Sequence, residues 1–473
     1  MNKKIIIIGA GVSGLSAGIF ARKNGFETLI IEKNHFAGGN LTGWKRKDCY
    51  IDNCIHWLCG SKKGNNLNKL WNELGAFKNI NFHQSEDFIV SEFNNEKISL
   101  NKNINVTEEN MLKLSPTDKK EIKKFITAVK LISNLENKSN FKKFIIFSKL
   151  FSKYKRKTIK EVVKDIKHPL LKKLFCDYFG DSFSIYVLLF AYSSFSSGDG
   201  KVIKEGSYKM AENITNKFIS LGGEIKYNSE VAKVLMNKDI ATGVELKNGE
   251  QIFGDYIIST TDPHIFFEKF TNKPMPKCLE KTYKQNKSYP IISSFHIAYK
   301  INSNVKIPET FVFEAKAPVQ IATSTYDRII LRSYAYNKSF TPDESFVLQV
   351  FLIQNEKDYD KWQTYSKNEY QSEKKRIVNE ITNLILQRFP ELENKIEYLD
   401  CWTPLTYTKY FGAHKGSYMS FLITKMFKFT TLPQQLKSVK NLYFATQWQR
   451  LFGGLPNALI NGKSCIEKIK KAN

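Results

Sequence analysis

Three glycines near the start of the chain, Gly9, Gly11 and Gly14, stand in the run G-A-G-V-S-G directly after the apolar residues 5–8. That spacing suits one kind of chemistry. The first glycine permits a tight turn, the second lets the backbone approach a pyrophosphate, and the third lets a helix pack closely on the strand before it. Val12 and Ser13 then open that helix, and its first amides, with the positive end of the helix dipole, favour phosphate. A second apolar run, residues 28–31, ends at Glu32, eighteen residues beyond Gly14, with Lys33 next. An acid there can accept hydrogen bonds from adenosine ribose hydroxyls, and it disfavours a 2′-phosphate. A glycine-rich turn alone is weak evidence; strand, glycines, helix, strand and acid in this order point to a dinucleotide.

The chain leaving Glu32 reads E-K-N-H-F-A-G-G-N-L-T, so Gly38 and Gly39 can pass over the same pyrophosphate, with Asn40 and Thr42 just beyond. E-x5-G-G after G-x-G-x-x-G resembles the extended fingerprint of the two-dinucleotide-binding-domain flavoproteins, a group that includes amine oxidases and phytoene desaturases. The resemblance implies FAD. That group often has Arg after the glycine pair; this chain has Asn40, and Lys45 or Arg46 are candidate replacements for the phosphate contact. The resemblance also implies that the FAD domain returns twice. Residues 205–262 read as a helix, a short strand near Ile225, a strand at Val231 whose backbone would meet the adenine, a Lys247-Asn248-Gly249 hairpin turn, and a last strand ending at Thr260. Near the C-terminus, N-L-Y-F-A-T-Q-W-Q-R-L-F-G-G-L-P-N-A-L-I-N-G resembles the closing flavin motif of the phytoene desaturase, carotenoid isomerase and retinol saturase branch. Gln447, Gly453, Gly454 and Leu455 fall in it, with a helix opening near Pro456 whose N-terminus would face the flavin pyrimidine edge.

The expected fold class is α/β: a Rossmann-type, glutathione reductase-like FAD-binding domain with an inserted substrate domain that is part helical and part mixed sheet. The expected boundaries are 1–85, 200–265 and 435–473 for the FAD domain, 86–199 for the helical insertion, and 266–434 for the mixed sheet. In the first insertion, Ser115-Pro116-Thr117-Asp118 has the form of a capping box, and Ile122, Phe125, Ile126, Val129 and Ile132 share a helical face. Residues 141–157 interleave Phe141, Phe144, Ile145, Leu150, Phe151 and Tyr154 with seven basic residues. Such a helix either lies in a membrane interface or packs on the core with a solvated lysine face. The second insertion predicts strands over 291–299, 329–336 and 346–353, and a helix from about Ser372 to Arg388 stopped by Phe389-Pro390. Between the FAD segments lies C-Y-I-D-N-C-I-H-W-L-C, residues 49–59, which in the resembled group runs toward the isoalloxazine. Asp52, His56 and Trp57 are the candidates for the reaction face, with His56 as a proton donor or acceptor; a packed, hydrogen-bonded histidine is the alternative.

Composition sets the limits. The seven cysteines include no C-x-x-C pair, which argues against metal and disulfides and for a reducing, cytoplasmic setting. The apolar start breaks after four residues, and residues 185–192 are too short to span a bilayer. A net charge of +26 attracts polyanions, but coding bias toward Lys gives the same excess. No nucleic-acid signature accompanies it, so an anionic membrane surface, on the inner face, is the candidate partner. A second G-x-G-x-x-G is absent, so electrons go to or come from an external acceptor or donor. The resemblance therefore implies an FAD-dependent oxidoreductase moving hydride between the flavin and a C–C or C=C unit of a long apolar isoprenoid, carotenoid-like or acyl substrate, as desaturase, saturase or isomerase. A flavin amine oxidase on the same fold, and a non-catalytic lipid-binding flavoprotein, are the alternatives.

Overall fold

The computed structural model describes residues 3–135, 138–425, 432–450 and 452–472. The end of the second insertion near residue 430, and Leu451 of the C-terminal motif, lie outside the described residues. The chain is α/β, with two main sheets. The first has five parallel strands in the order Leu442–Phe444, Tyr256–Ser259, Lys4–Ile8, Glu27–Ile31 and Glu224–Lys226. Its central strand is isoleucine at 5–8 because both faces are covered. Ile5 and Ile7 meet the helices Val12–Lys23, Ser207–Ser220 and Gly454–Ala472, while Ile6 and Ile8 meet the three-stranded antiparallel sheet of residues 231–253.

The second sheet has seven strands, ordered Ile396–Trp402, Ser293–Ile301, Phe346–Gln354, Ser324–Ser333, Thr310–Ile321, Asp87–Phe93 and Glu96–Asn101. It is mixed: Thr310–Ile321 runs parallel to Asp87–Phe93, and the other pairs are antiparallel. The hairpin 87–101 from the first insertion thus completes a sheet built mostly from the second. One face packs under the helix Lys367–Arg388 through Ile377, Ile381 and Ile385. That helix starts earlier than Ser372 because Ser366 and Glu369 form a capping box that overrides the weak apolar pattern of its first turn. The opposite face packs against the helices of residues 119–196.

Ser115 does not cap a helix. Its hydroxyl donates to Asp118 at 2.7 Å, because the Asp118 carboxylate is committed to the Lys167 and His168 amides at 2.8 and 3.0 Å; the helix runs from Lys119 to Ser133 behind a short 3-10 turn. The basic stretch forms the helix Asn140–Tyr154, with Leu150 and Tyr154 buried and four phenylalanines outward.

Candidate functional site

The strand Lys4–Ile8 ends in Gly9 at φ +101°, and the Thr260 hydroxyl fixes that turn by donating to the Ile8 carbonyl at 2.8 Å. A Cβ on Gly14 would come within 2.0 Å of the Gly9 carbonyl, whereas one on Gly11 would meet nothing within 4 Å. Gly11 therefore faces open space. The helix Val12–Lys23 has no side-chain cap at Gly11, so its first-turn amides are left for an anion. The Val12 side chain is buried, and the Ser13 hydroxyl donates to the Ala458 carbonyl at 3.0 Å, so the Ser13 amide is its group at the turn. Glu32 accepts the amides of Ala10 at 2.8 Å and Asn34 at 2.9 Å through different oxygens. Lys33 reaches the Lys409 carbonyl at 2.9 Å, and burial pushes its ammonium pKa down.

Gly38 and Gly39 lie alongside this turn. Gly38 donates to the Ala10 carbonyl at 2.8 Å and bridges Gly11, and both glycines have positive φ. The Asn40 side chain accepts from the Asn53 amide at 3.0 Å, and Thr42 is buried. Arg46 is not a spare phosphate ligand: it pairs with Asp400 at 2.9 Å at the edge of the seven-stranded sheet, while Lys45 is exposed on the same hairpin. Val231 opens a strand beside Glu32, whose carbonyl accepts the Ser229 amide at 2.9 Å. At the C-terminal motif, Gln447 accepts the Gly454 amide at 2.7 Å, Gly453 and Gly454 have φ of +55° and +78°, and Leu455 packs on the helical core. Open space over Gly11, uncapped helix amides and an oriented carboxylate fit the pyrophosphate and ribose of a dinucleotide.

A second cluster lies where the large sheet faces residues 52–57. Alternation along its strands turns His296, Ile330, Arg332, Gln349 and Phe351 to this side. Gln349 donates to the Asp52 carbonyl at 2.9 Å, and the His56 ring meets Phe351 edge-on at 4.9 Å. His56 Nδ1 shares a hydrogen bond with the Tyr178 hydroxyl at 2.8 Å. Burial, with the charge of Arg332, pushes its pKa well below the usual histidine range, so the imidazole is neutral. Trp57 stands edge-on to Phe88, Tyr178 and Phe179. His56, Trp57, Phe88, Tyr178, Arg332 and Tyr336 line one small cavity of about 20 Å³, room for a water-sized group.

Asp52 does not line it. The carboxylate is fully inside and accepts the Ser207 hydroxyl at 2.6 Å and the Ser207 and Cys54 amides at 2.5 and 3.1 Å; three donors to one buried group make a clamp between strand and helix. His296, Arg332 and Tyr178 are site residues that motif reading missed. Arg332 had a signal, a lone cation inside the apolar run I-I-L-R-S-Y. His296 stacks on Trp402 with centroids 4.5 Å apart, and burial pushes its pKa down to about 3. All seven cysteines are free, no metal-binding cluster occurs among the described residues, and none of their helices is long and apolar enough to cross a membrane.

Comparison with known proteins agrees with this arrangement. The chain is 23% identical to a chloroplastic prolycopene isomerase of Daucus carota over 87% of its own length and 71% of the relative's. It is also 23% identical to a 4,4'-diaponeurosporene oxygenase of Staphylococcus haemolyticus over 99% and 97%, and 22% identical to an inactive all-trans-retinol 13,14-reductase of Danio rerio over 85% and 75%. Putrescine oxidase bound to putrescine shares the fold at a TM-score of 0.64 and 14% identity, covering 99% of both chains. An oxidoreductase from Methanosarcina mazei does so at 0.63 and 14%, covering 98% of this chain and all of that one. The flavin containing amine oxidoreductase family matches residues 12–468, and with the dinucleotide turn and the opposed sheet face in place the chain belongs to that family and is an FAD-dependent oxidoreductase.

Proposed function

We propose that the chain is an FAD-dependent oxidoreductase that transfers hydride between the flavin and a C–C or C=C unit of a long apolar substrate. The observation that carries this reading is the cavity of Trp57, Phe88, Tyr178 and Tyr336 around a buried guanidinium, Arg332. Aromatic walls suit an apolar group. The relatives named for prolycopene, diaponeurosporene and retinol support the same substrate class.

Bound FAD supplies the hydride acceptor or donor. The amides at Gly11, Val12, Ser13 and Gly14, close to Gly9, would hold its pyrophosphate, with Gly38, Gly39, Asn40 and Thr42 over it. Glu32, beside Lys33, would hold the ribose. Val231 would meet the adenine by its backbone, Thr260 would keep the Gly9 turn in shape, and Gln447, Gly453, Gly454 and Leu455 would meet the flavin ring. His56, kept neutral and tied to Tyr178, can hold or pass a proton at Nδ1 without adding charge, and Trp57 excludes water from the wall. Electrons leave for, or arrive from, an external partner. The helix Asn140–Tyr154 would rest on an anionic membrane from which the substrate is drawn: Phe141 and Phe144 are 73% and 69% exposed beside Lys142 and Lys143.

Anaerobic flavin absorbance of the purified protein tests the reading. Bleaching by a polyene lipid, or reoxidation of the reduced protein by one, is the expected result. Bleaching by an amine and by no lipid would replace it with an amine oxidase.

A further inference from the structure

We infer that the substrate carries a carboxylate and that Arg332 anchors it inside the cavity beside His56 and Tyr178. The inference rests on the apolar-substrate reading and narrows it from a hydrocarbon to a long apolar acid.

Arg332 lies in the strand Ser324–Ser333, opposite Thr310 and Gln349, and is only 7% exposed. Its Nε has no hydrogen-bond partner, and its one hydrogen bond to the backbone is long, 3.4 Å from Nη2 to the His56 carbonyl. A guanidinium does not lose its proton in a protein, and an uncompensated buried charge is costly, so neutrality has to come from elsewhere. The nearby groups do not supply it. Tyr178 and Tyr334 lie against the guanidinium, but burial keeps their phenols protonated, with Tyr334 pushed up to about 12. Neither carboxylate on the cavity wall is hydrogen-bonded to the guanidinium: Asp87 accepts from Ser99 at 2.7 Å and Asn101 at 3.0 Å, and Glu309 bonds His83 at 2.8 Å.

A second arginine on the same strand is neutralised from within the fold. Arg328, four positions earlier, is met by Asp177 at 2.6 and 2.9 Å and by Ser91 at 2.8 Å. Among the described residues no acid is hydrogen-bonded to Arg332. Its Nε is left without a partner at the cavity wall, beside the Tyr178 and Tyr334 hydroxyls, which suits an anionic oxygen. Asp87 and Glu309 on the same wall disfavour a phosphoryl dianion. The small cavity takes the head group alone, and Trp57 and Phe88 flank the start of the apolar chain that follows it.

The test uses the flavin-loaded protein and four probes: oleate, oleyl alcohol, methyl oleate and acetate, each titrated by flavin absorbance and by thermal melting. Oleate is expected to bind about ten- to a hundredfold tighter than the alcohol or ester, the range for hydrogen bonds to a charged group. Arg332→Met should erase that preference; Arg332→Lys should keep part of it. Equal binding of acid and alcohol by the unmodified protein overturns the anchor and leaves the apolar reading standing. Acetate binding as strongly as oleate overturns it in favour of a small-anion site. A preference for oleate that survives in Arg332→Met overturns it too. If none of the three lipids is bound, the apolar reading itself falls. Should Arg332→Met fail to fold, the comparison of probes on the unmodified protein and on Arg332→Lys decides.

Discussion

Glu32 holds the Ala10 amide at 2.8 Å across the tips of two neighbouring parallel strands, and its second oxygen takes the Asn34 amide at 2.9 Å. The carboxylate plane is thereby fixed, with remaining lone pairs available to a ribose. Glu32→Gln keeps the shape but sets an NH₂ against one of these amides, a donor facing a donor. A loss of about 1–3 kcal/mol in stability is expected. Flavin retention should fall about tenfold, the equivalent of one such bond. Urea unfolding and flavin content after dialysis measure the two effects separately; full retention in a destabilised variant would remove Glu32 from the cofactor site.

Gly11 and Gly14 should respond oppositely to one methyl group. Gly14→Ala brings Cβ within 2.0 Å of the Gly9 carbonyl, backbone that the strand and Thr260 hold still. Such overpacking costs about 1–3 kcal/mol or more. Gly11→Ala meets nothing within 4 Å, and Gly11 has φ −70°, which alanine adopts freely. The flavin-free protein should therefore melt as before, or slightly higher. Its flavin content should collapse, because the methyl fills the space a pyrophosphate needs. A Gly11→Ala protein that keeps its flavin would place the phosphates elsewhere.

The dinucleotide turn was legible because glycine spacing reports a backbone demand directly: Gly9 needs its positive φ, and Gly14 has no room for a side chain. The reaction end was harder to read. Arg332 and Tyr178 come from separate stretches, and only sheet register and helix packing bring them to one cavity, with His296 on the same sheet face. Asp52 misled for a related reason. Its place before His56 suggests a reaction-face acid, yet its partner Ser207 lies far along the chain, where local sequence gives no hint of it. The hairpin 87–101 was also hidden, since its strands pair across the boundary between two insertions.

His296 should give the protein an acid-sensitive component of stability. Burial pushes its pKa down to about 3, so between the ordinary histidine value and that point the unfolded chain binds a proton that the folded chain does not. Stability from this group is full above about pH 6.5 and declines by up to ~1.4 kcal/mol per unit below it. Asp262, raised to about 7 by burial, acts in the opposite sense: its contribution is full at low pH and is lost as pH rises toward 7. His414, pushed down to about 3 by burial, acts like His296. Both are present in His296→Gln and cancel in the difference. The stability gap between the unmodified protein and His296→Gln should therefore shrink on going from about pH 7.5 to about pH 5. A gap independent of pH, measured by urea midpoints, would mean that His296 takes up its proton equally in the folded and unfolded chain.

The helix Asn140–Tyr154 makes the last expectation quantitative. Leu150 and Tyr154, each 4% exposed, fasten it to the fold, while Phe141, Phe144, Phe147 and Phe151 are 73%, 69%, 46% and 40% exposed. A water-facing core helix does not spend four phenylalanines on solvent, and Lys142, Lys143, Lys149 and Lys153 stand among them. Fully burying such a ring is worth about 1.5–3 kcal/mol, and each lysine adds about 1 kcal/mol near an anionic surface. Phe141→Ser with Phe144→Ser should lower binding to phosphatidylglycerol vesicles by tenfold or more, leave the melting temperature unchanged because both rings touch water, and leave the flavin spectrum alone. Binding of the unmodified protein should weaken with added salt and be poor on phosphatidylcholine. If vesicle sedimentation finds the double variant and the unmodified chain alike on both lipids, the exposed rings serve something other than a membrane.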